Sequence, residues 1–135
     1  MFKQAVAPAG IVIFIHLLAT HYSWYYVFPG FDVPMHLMGG AAVAFAFCAL
    51  AKRYNIFLEN RLLFFLFALG TTALIGILWE FYEFFMDVYV HHTYPLLAAP
   101  GEIHFDTLKD LFNDLLGAAV VVLICIRRRN FSASS

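Results

Sequence analysis

The chain has 135 residues, of which 63% are hydrophobic and only 13% are charged, with a formal net charge of −1. A soluble domain carries about 25% charged residues, so the composition excludes an ordinary soluble protein. The length fits one domain, residues 1–135. The near-neutral charge, without a basic run interleaved with aromatic residues, argues against nucleic-acid binding. We therefore expect a single domain embedded in a membrane.

Four apolar stretches follow one another along the chain, and each approaches or exceeds the ~20 residues that a membrane-spanning helix needs. We predict spans at about residues 9–28, 34–51, 62–90 and 107–126. An open sheet edge cannot exist in hydrocarbon, so all four are expected to be helices. The fold class is therefore predicted as all-α, a polytopic membrane protein built as a bundle of four transmembrane helices.

The basic residues predict the orientation of these helices. They lie near the N-terminus, in the second link and in the C-terminal tail, at Lys3, Lys52, Arg53, Arg61, Arg127, Arg128 and Arg129. The links at residues 25–33 and 89–106 carry neither Lys nor Arg. By the positive-inside rule both termini are cytoplasmic, and Trp24, Tyr25, Tyr26 and Phe28 form an aromatic belt at the outer surface. Cys48 and Cys125 lie towards the cytoplasmic ends and are expected to be reduced packing residues.

Polar residues recur at helical spacing near the outer ends of three predicted spans, so those of each span share one helix face. They are Asp32 with His36, Glu80 with Glu83 and Asp87, and Asp106 with Asp110 and Asp114. At 1.5 Å rise per residue, Asp114 lies ~12 Å deeper along its helix than Asp106. Ionisable residues at such depth are costly, and they indicate a functional site.

Carboxylates gathered in a low dielectric cannot all stay ionised without compensation, and Lys109 is the only fixed cation near them in the sequence. Either several acids are protonated or a divalent metal ion holds them. Mixed carboxylate and imidazole ligands suit Zn, Mn or Fe, and carboxylates alone suit Mg. The predicted metal ligands are Asp32, His36, Glu80, Glu83, Asp110 and Asp114. A further ligand or a proton shuttle could come from His91, His92 or His104.

Simpler roles compete at several of these positions. Asp32 and Asp106 lie near span ends, where each is equally well explained as a helix N-cap or a solvated terminus. His16 lies midway along the first span and is expected to bond a neighbouring helix. Gly40 and Gly117 lie within small-residue runs, which are expected to let helices approach closely.

Three motifs in order carry a family resemblance. They are Asp-x-x-x-His-x-x-Gly-Gly from Asp32, Trp-Glu-x-x-Glu from Trp79, and Asp-x-x-x-Asp-x-x-Gly-Ala from Asp110. This set resembles the YjdF-type bacterial inner-membrane proteins and, more loosely, the VanZ-like membrane proteins. The VanZ-like pattern has Gln after the glutamate and an outer-loop Arg, which this chain lacks. The resemblance covers spans two to four and implies a fold, key positions and a bacterial cytoplasmic membrane, rather than a reaction.

Three functions are compatible with these residues. The first is a metal-dependent hydrolase or transferase acting on a lipid or lipid-linked envelope substrate, with Glu83 as general base and Lys109 meeting an anionic head group. The second is a proton-linked transporter element, because chains of carboxylates and His also relay protons. The third is a small accessory subunit of a larger membrane complex. The sequence leaves the substrate, the metal and a possible homo-oligomer open.

Overall fold

A computed structural model describes residues 2–56, 59–90 and 102–133, and all regular structure in these ranges is helical. The prediction of an all-α fold is therefore confirmed for the described chain. The elements are α1 (Phe2–His21), α2 (Trp24–Val27), α3 (Asp32–Tyr54), α4 (Arg61–Phe85), a π-helical turn (Met86–Val90) that continues α4, and α5 (Glu102–Ala133).

Among the described residues, two helices are long and apolar enough to cross a membrane, namely Asp32–Tyr54 and Arg61–Val90. They agree with the second and third predicted spans. Within α1, Val6–His21 is a shorter apolar helix. α5 is longer than all of these, but its charged residues lie towards both of its ends.

The boundaries of the first and fourth predicted spans differ from the helices. The first is interrupted after His21, where Ser23 adopts a left-handed backbone conformation with φ of 58° and the short α2 follows. α5 begins at Glu102, before the predicted start at residue 107. Asp106 therefore lies inside the helix, and its interpretation as an N-cap is wrong.

The two faces of α5 are arranged in reverse to those of a helix in a soluble protein. Its exposed face is an apolar stripe formed by Phe105, Leu108, Phe112, Leu116, Val120 and Leu123. Its buried face carries Asp110, Asn113 and Asp114. A soluble helix turns its polar face to water, whereas a helix with polar groups inside and apolar groups outside suits hydrocarbon surroundings.

α3 lies at the centre of the bundle and packs against α1, α4 and α5. α3 and α5 run parallel, because contacts that advance along one helix advance along the other, from Asp32 with Asp110 to Cys48 with Cys125. α4 returns antiparallel to both. Its N-terminus is capped by the Asn60 side chain, which accepts hydrogen bonds from the backbone N–H groups of Leu62 and Leu63.

One end of the bundle is filled by an apolar core. Its fully or nearly buried members are Ala44, Cys48, Ala51, Phe64, Ala68, Ala118 and Val122. Cys48 belongs to this core, and Cys125 packs against it. This is the end that carries the basic residues of α3 and α4, whereas the acidic residues within the helices lie towards the opposite end.

Candidate functional site

The imidazole of His36 is the centre of the polar cluster. Its Nε2 atom faces carboxylates from three helices, with Asp32 Oδ1 at 3.2 Å, Asp110 Oδ2 at 3.8 Å and Glu83 Oε2 at 4.0 Å. Its Nδ1 atom faces a fourth carboxylate, Asp114 Oδ1, at 3.4 Å. The predicted convergence of acidic helix faces around a common centre is therefore present in the structure, and the i, i+4 pair of Asp32 and His36 is formed as expected.

The cluster is withdrawn from solvent at its inner side. His36, Asp110 and Asp114 are only 4%, 3% and 5% exposed. The carboxyl groups of Asp32 and Asp110 lie within hydrogen-bonding distance of each other. Two carboxylates in such contact cannot both remain ionised unless a proton or a cation lies between them.

Lys109 closes the outer side of the cluster and links α5 to α3. Its Nζ atom lies 3.3 Å from Asp32 Oδ2 and 3.4 Å from Asp110 Oδ1, and it donates a hydrogen bond to Asp106. The sequence predicted that Lys109 meets an anionic head group. In the structure its ammonium group is paired with the carboxylates of Asp32, Asp106 and Asp110. Asp106 therefore holds Lys109 in place instead of capping the helix.

Glu80 contributes a carboxylate one turn away from the centre. It lies against Thr107 of α5, and its Oε1 atom is buried without a hydrogen-bond partner among the described residues. A buried carboxylate oxygen without a partner is unfavourable, so this atom is suited to receive a ligand. Asp87, the remaining predicted acid of this helix face, lines the outer cavity described below.

The donor atoms fit a metal ion. Two sets of three residues, Asp32 with His36 and Asp110, and His36 with Glu80 and Glu83, each have ligand atoms within 4.8 Å of one another. Neighbouring ligands of one Zn²⁺ ion lie ~3–3.5 Å apart, because each bond measures about 2.0–2.2 Å. Small side-chain movements would bring either set to that spacing. Asp114 belongs to neither set, because it lies on the opposite side of the imidazole ring.

Glycines position Asp114 by letting three helices meet. A Cβ atom on Gly40 would overlap the backbone of Asp114, and one on Gly117 would overlap the carbonyl of Leu37. The close approach predicted for these small residues is therefore confirmed. A third glycine, Gly76 on α4, was not predicted, and its Cβ would lie 2.7 Å from Asp114 Oδ2.

An aromatic wall flanks the cluster on the side of α1. His16 Nδ1 lies 2.8 Å from the hydroxyl oxygen of Tyr25, and its ring meets Trp79 edge-on with centroids 4.8 Å apart. The expected bond from His16 to a neighbouring helix is confirmed. Tyr25 was predicted in the outer aromatic belt, but its hydroxyl points inward, whereas Tyr26 is 68% exposed.

Two cavities meet at this wall, and both are lined by His16, Tyr25 and Glu83. The outer one, which we call the vestibule, has a volume of about 700 Å³. The acids and the lysine that line it are Asp32, Asp87, Asp106, Lys109 and Asp110. The inner one, which we call the apolar slot, has a volume of about 160 Å³ and lies between α1, α3 and α4.

Tyr25→Phe is expected to destabilise the packing of the aromatic wall. Loss of the bond to His16 should lower the free energy of unfolding by about 1 kcal/mol, because it removes a hydrogen-bond partner from a ring nitrogen of the buried His16. Thermal unfolding in detergent micelles measures the change. Tyr26→Phe removes the same hydroxyl from an exposed ring and should leave stability unchanged. Equal behaviour of the two variants would contradict the inward role of Tyr25.

The remaining predicted residues lie at the edges of the site. His91 and His92 are outside the described residues, and His104 is exposed on the first turns of α5. Asn113, which sequence reasoning passed over, is buried next to Asp114. Its position three residues after Asp110 places it on the inward face of α5.

Fold and site together define a helical protein with membrane-type surfaces and a buried carboxylate–imidazole cluster between three helices. The chain belongs to the family DUF2238, described as predicted membrane proteins, whose model matches residues 5–131. The comparisons with curated proteins and with solved structures find no match.

Proposed function

We propose that this protein is a membrane-embedded enzyme that binds a divalent metal ion at the His36 cluster and acts on a lipid or lipid-linked envelope substrate as a hydrolase or transferase. The observation that carries the proposal is the arrangement around one imidazole. Nε2 faces Asp32, Glu83 and Asp110, and Nδ1 faces Asp114. A carboxylate on the second nitrogen is the usual way in which a metal-binding His is oriented.

The charge of the cluster supports a cation. Around the imidazole lie the four carboxylates of Asp32, Glu83, Asp110 and Asp114. Lys109 brings a fixed positive charge to two of them, Asp32 and Asp110. Even a protonated imidazole would leave an excess of negative charge. Excess charge in a low dielectric is removed by protonation or by a cation, and the buried Glu80 oxygen without a partner favours the cation.

Each side chain then has a distinct role. Asp32, His36 and Asp110, with Glu80 or Glu83, would hold the ion, for which Zn, Mn, Fe or Mg are the candidates. Such an ion acts as a Lewis acid on a phosphoryl or acyl oxygen. Asp114 would orient His36 by accepting a hydrogen bond from its Nδ1–H group. Glu83, which lines both cavities, is placed to accept a proton from a nucleophile. Lys109 is the cation nearest to a head group in the vestibule.

We place this site near the outer surface of a bacterial cytoplasmic membrane. In this arrangement α1, α3, α4 and α5 all span the bilayer, and Lys52, Arg53 and Arg61 lie on the cytoplasmic side together with both termini. The motifs of the YjdF-type and VanZ-like proteins support the same placement. The membrane family and the apolar exposed face of α5 independently support a membrane setting, though not a particular side of the membrane.

A proton-linked transporter is less well supported by the packing. Beyond His36 towards the basic end, the described residues of α3 and α5 form the apolar core that includes Ala44, Ala118 and Val122. A transport path needs polar groups or water along its length. A cluster that is open to a vestibule and sealed by a core on the other side suits a chemical site better.

Metal analysis and lipid turnover test the proposal. Protein purified without chelators should contain near-stoichiometric divalent metal by inductively coupled plasma mass spectrometry. In vesicles of bacterial lipid extract it should convert a lipid species, followed by mass spectrometry, and Glu83→Gln should abolish that conversion. Glu59→Gln, an exposed change at the basic end, is the matched control. Absence of metal together with full function of Glu83→Gln would overturn the proposal, and proton flux through liposomes would favour the transporter.

A further inference from the structure

The apolar slot lies at a seam between two helices. α1 packs against α3, and within the described ranges it forms no extended contact with α4. The slot fills the space that this arrangement leaves, with Val12 and Ile13 on one side and Ile75 on the other. Ile13 and Ile75 are 49% and 44% exposed, so the rim of the slot lies on the outer surface of the bundle. In the bilayer arrangement proposed above, this rim faces hydrocarbon.

The size of the slot matches part of a hydrocarbon chain. A volume of about 160 Å³ is close to that of the engineered apolar cavity, roughly 150 Å³, that binds benzene. It would therefore hold about six carbon atoms, and the rest of a longer chain would leave through the seam. The α3 wall includes Gly39, Gly40 and Ala42. Because these residues are small, they leave the slot open along α3.

The polar end of the slot limits the head group. His36, Glu83 and Asp114 line the slot where it reaches the cluster, and the vestibule begins at the same Glu83. A ligand that fills both cavities must carry an apolar chain and a polar group joined at this point. A membrane lipid has that form.

The charge of the vestibule selects among lipid head groups. Asp32, Asp87, Asp106 and Asp110 line it, with Lys109 as the basic side chain among its lining residues. The excess of carboxylates complements a positively charged group. A divalent ion at His36 would reduce this excess without reversing it. An ammonium head group therefore fits better than a purely anionic one.

We propose that the apolar slot binds the first part of an acyl chain of an aminophospholipid, and that its ammonium head group lies in the vestibule among these acids. This inference deepens the proposed function and rests on it, since it names the substrate class of the same site. The lipid enters sideways from the bilayer through the seam between α1 and α4.

Lipid binding to matched tryptophan variants tests the proposal. Dioleoyl phosphatidylethanolamine is titrated into the full-length protein in detergent micelles, and bound lipid is counted by native mass spectrometry. Ile75→Trp and Val12→Trp fill the slot from opposite helices and should each lower lipid affinity by at least about tenfold, because they displace several buried methylene groups. Leu74→Trp and Ile11→Trp add the same ring to neighbouring exposed positions and should bind as wild type does.

Several outcomes overturn the proposal or separate it from the proposed function. If Ile75→Trp and Leu74→Trp bound the lipid with equal affinity, the slot would be refuted as the binding site of the acyl chain. Equal or stronger binding of dioleoyl phosphatidylglycerol, or displacement by a polyprenyl phosphate, would overturn the aminophospholipid. Metal content measured on the same samples distinguishes the lipid proposal from the proposed function. If wild-type protein binds the lipid but contains no metal, the metal site is contradicted and the lipid site is not. Circular dichroism confirms that each variant is folded.

Discussion

Gly40→Ala is expected to destabilise the protein by about 3 kcal/mol or more. The added Cβ would overlap the backbone carbonyl group and Cα of Asp114, and backbone atoms cannot move aside as a flexible side chain does. Overpacking of a tight interior costs typically 1–3 kcal/mol and occasionally more. α3 and α5 must therefore separate, and the separation also moves Asp114 away from His36. Gly117→Ala should act in the same way, through the carbonyl of Leu37.

Gly70→Ala and Gly10→Ala are the matched controls, since nothing lies within 4 Å of a Cβ at either position. Alanine is favoured over glycine in a helix by about 0.5–1 kcal/mol, so these variants should be as stable as wild type or slightly more so. Thermal unfolding followed by circular dichroism in micelles ranks the four proteins. If Gly40→Ala were to unfold at the same temperature as Gly70→Ala, the close contact between α3 and α5 would be refuted.

The sequence patterns that act within one helix predicted much of the fold. Apolar length identified the helices Asp32–Tyr54 and Arg61–Val90, and a period of 3.6 residues placed Asp32 next to His36. The break at Ser23 was missed, because aromatic residues continue the apolar run across it and no Gly or Pro marks the turn. The start of α5 at Glu102 was also missed, since polar residues before the predicted apolar run look like a loop.

Contacts between helices were much less predictable for the candidate site. Periodicity placed Glu83, Asp110 and Asp114 on inward faces, but it could not say which nitrogen of His36 each would meet. That depends on how α5 is shifted along α3, which the glycine contacts determine. The inward direction of Tyr25 could not be predicted either, because it depends on the turn after α1 that brings Tyr25 to His16.

The two sides of the imidazole predict different consequences of mutation. In the proposed metal site, residues that face Nε2 would act directly on a bound ion, whereas Asp114 would act through the orientation and basicity of the ring. Loss of a carboxylate behind a metal-binding His typically lowers metal affinity 10–100-fold, and loss of the His itself removes a ligand from both candidate sets. The cluster should therefore show a graded response.

His36→Ala is expected to lower the affinity for divalent metal by more than about 100-fold, and Asp114→Asn by about 10–100-fold. Asparagine keeps the shape of the side chain, and its amide oxygen can still accept a hydrogen bond from the Nδ1–H group of His36. The effect of Asp114→Asn on metal affinity therefore measures the loss of the negative charge. Competition with a metal-sensitive dye in micelles measures each affinity. His21→Ala, an exposed change outside both ligand sets, should bind as wild type does. If His36→Ala and His21→Ala were to bind metal equally, the ion would lie elsewhere. If Asp114→Asn lowered the metal affinity as much as His36→Ala does, Asp114 would be a direct ligand. The ring of His36 or the carboxylate of Asp114 would then have to rotate to reach the ion.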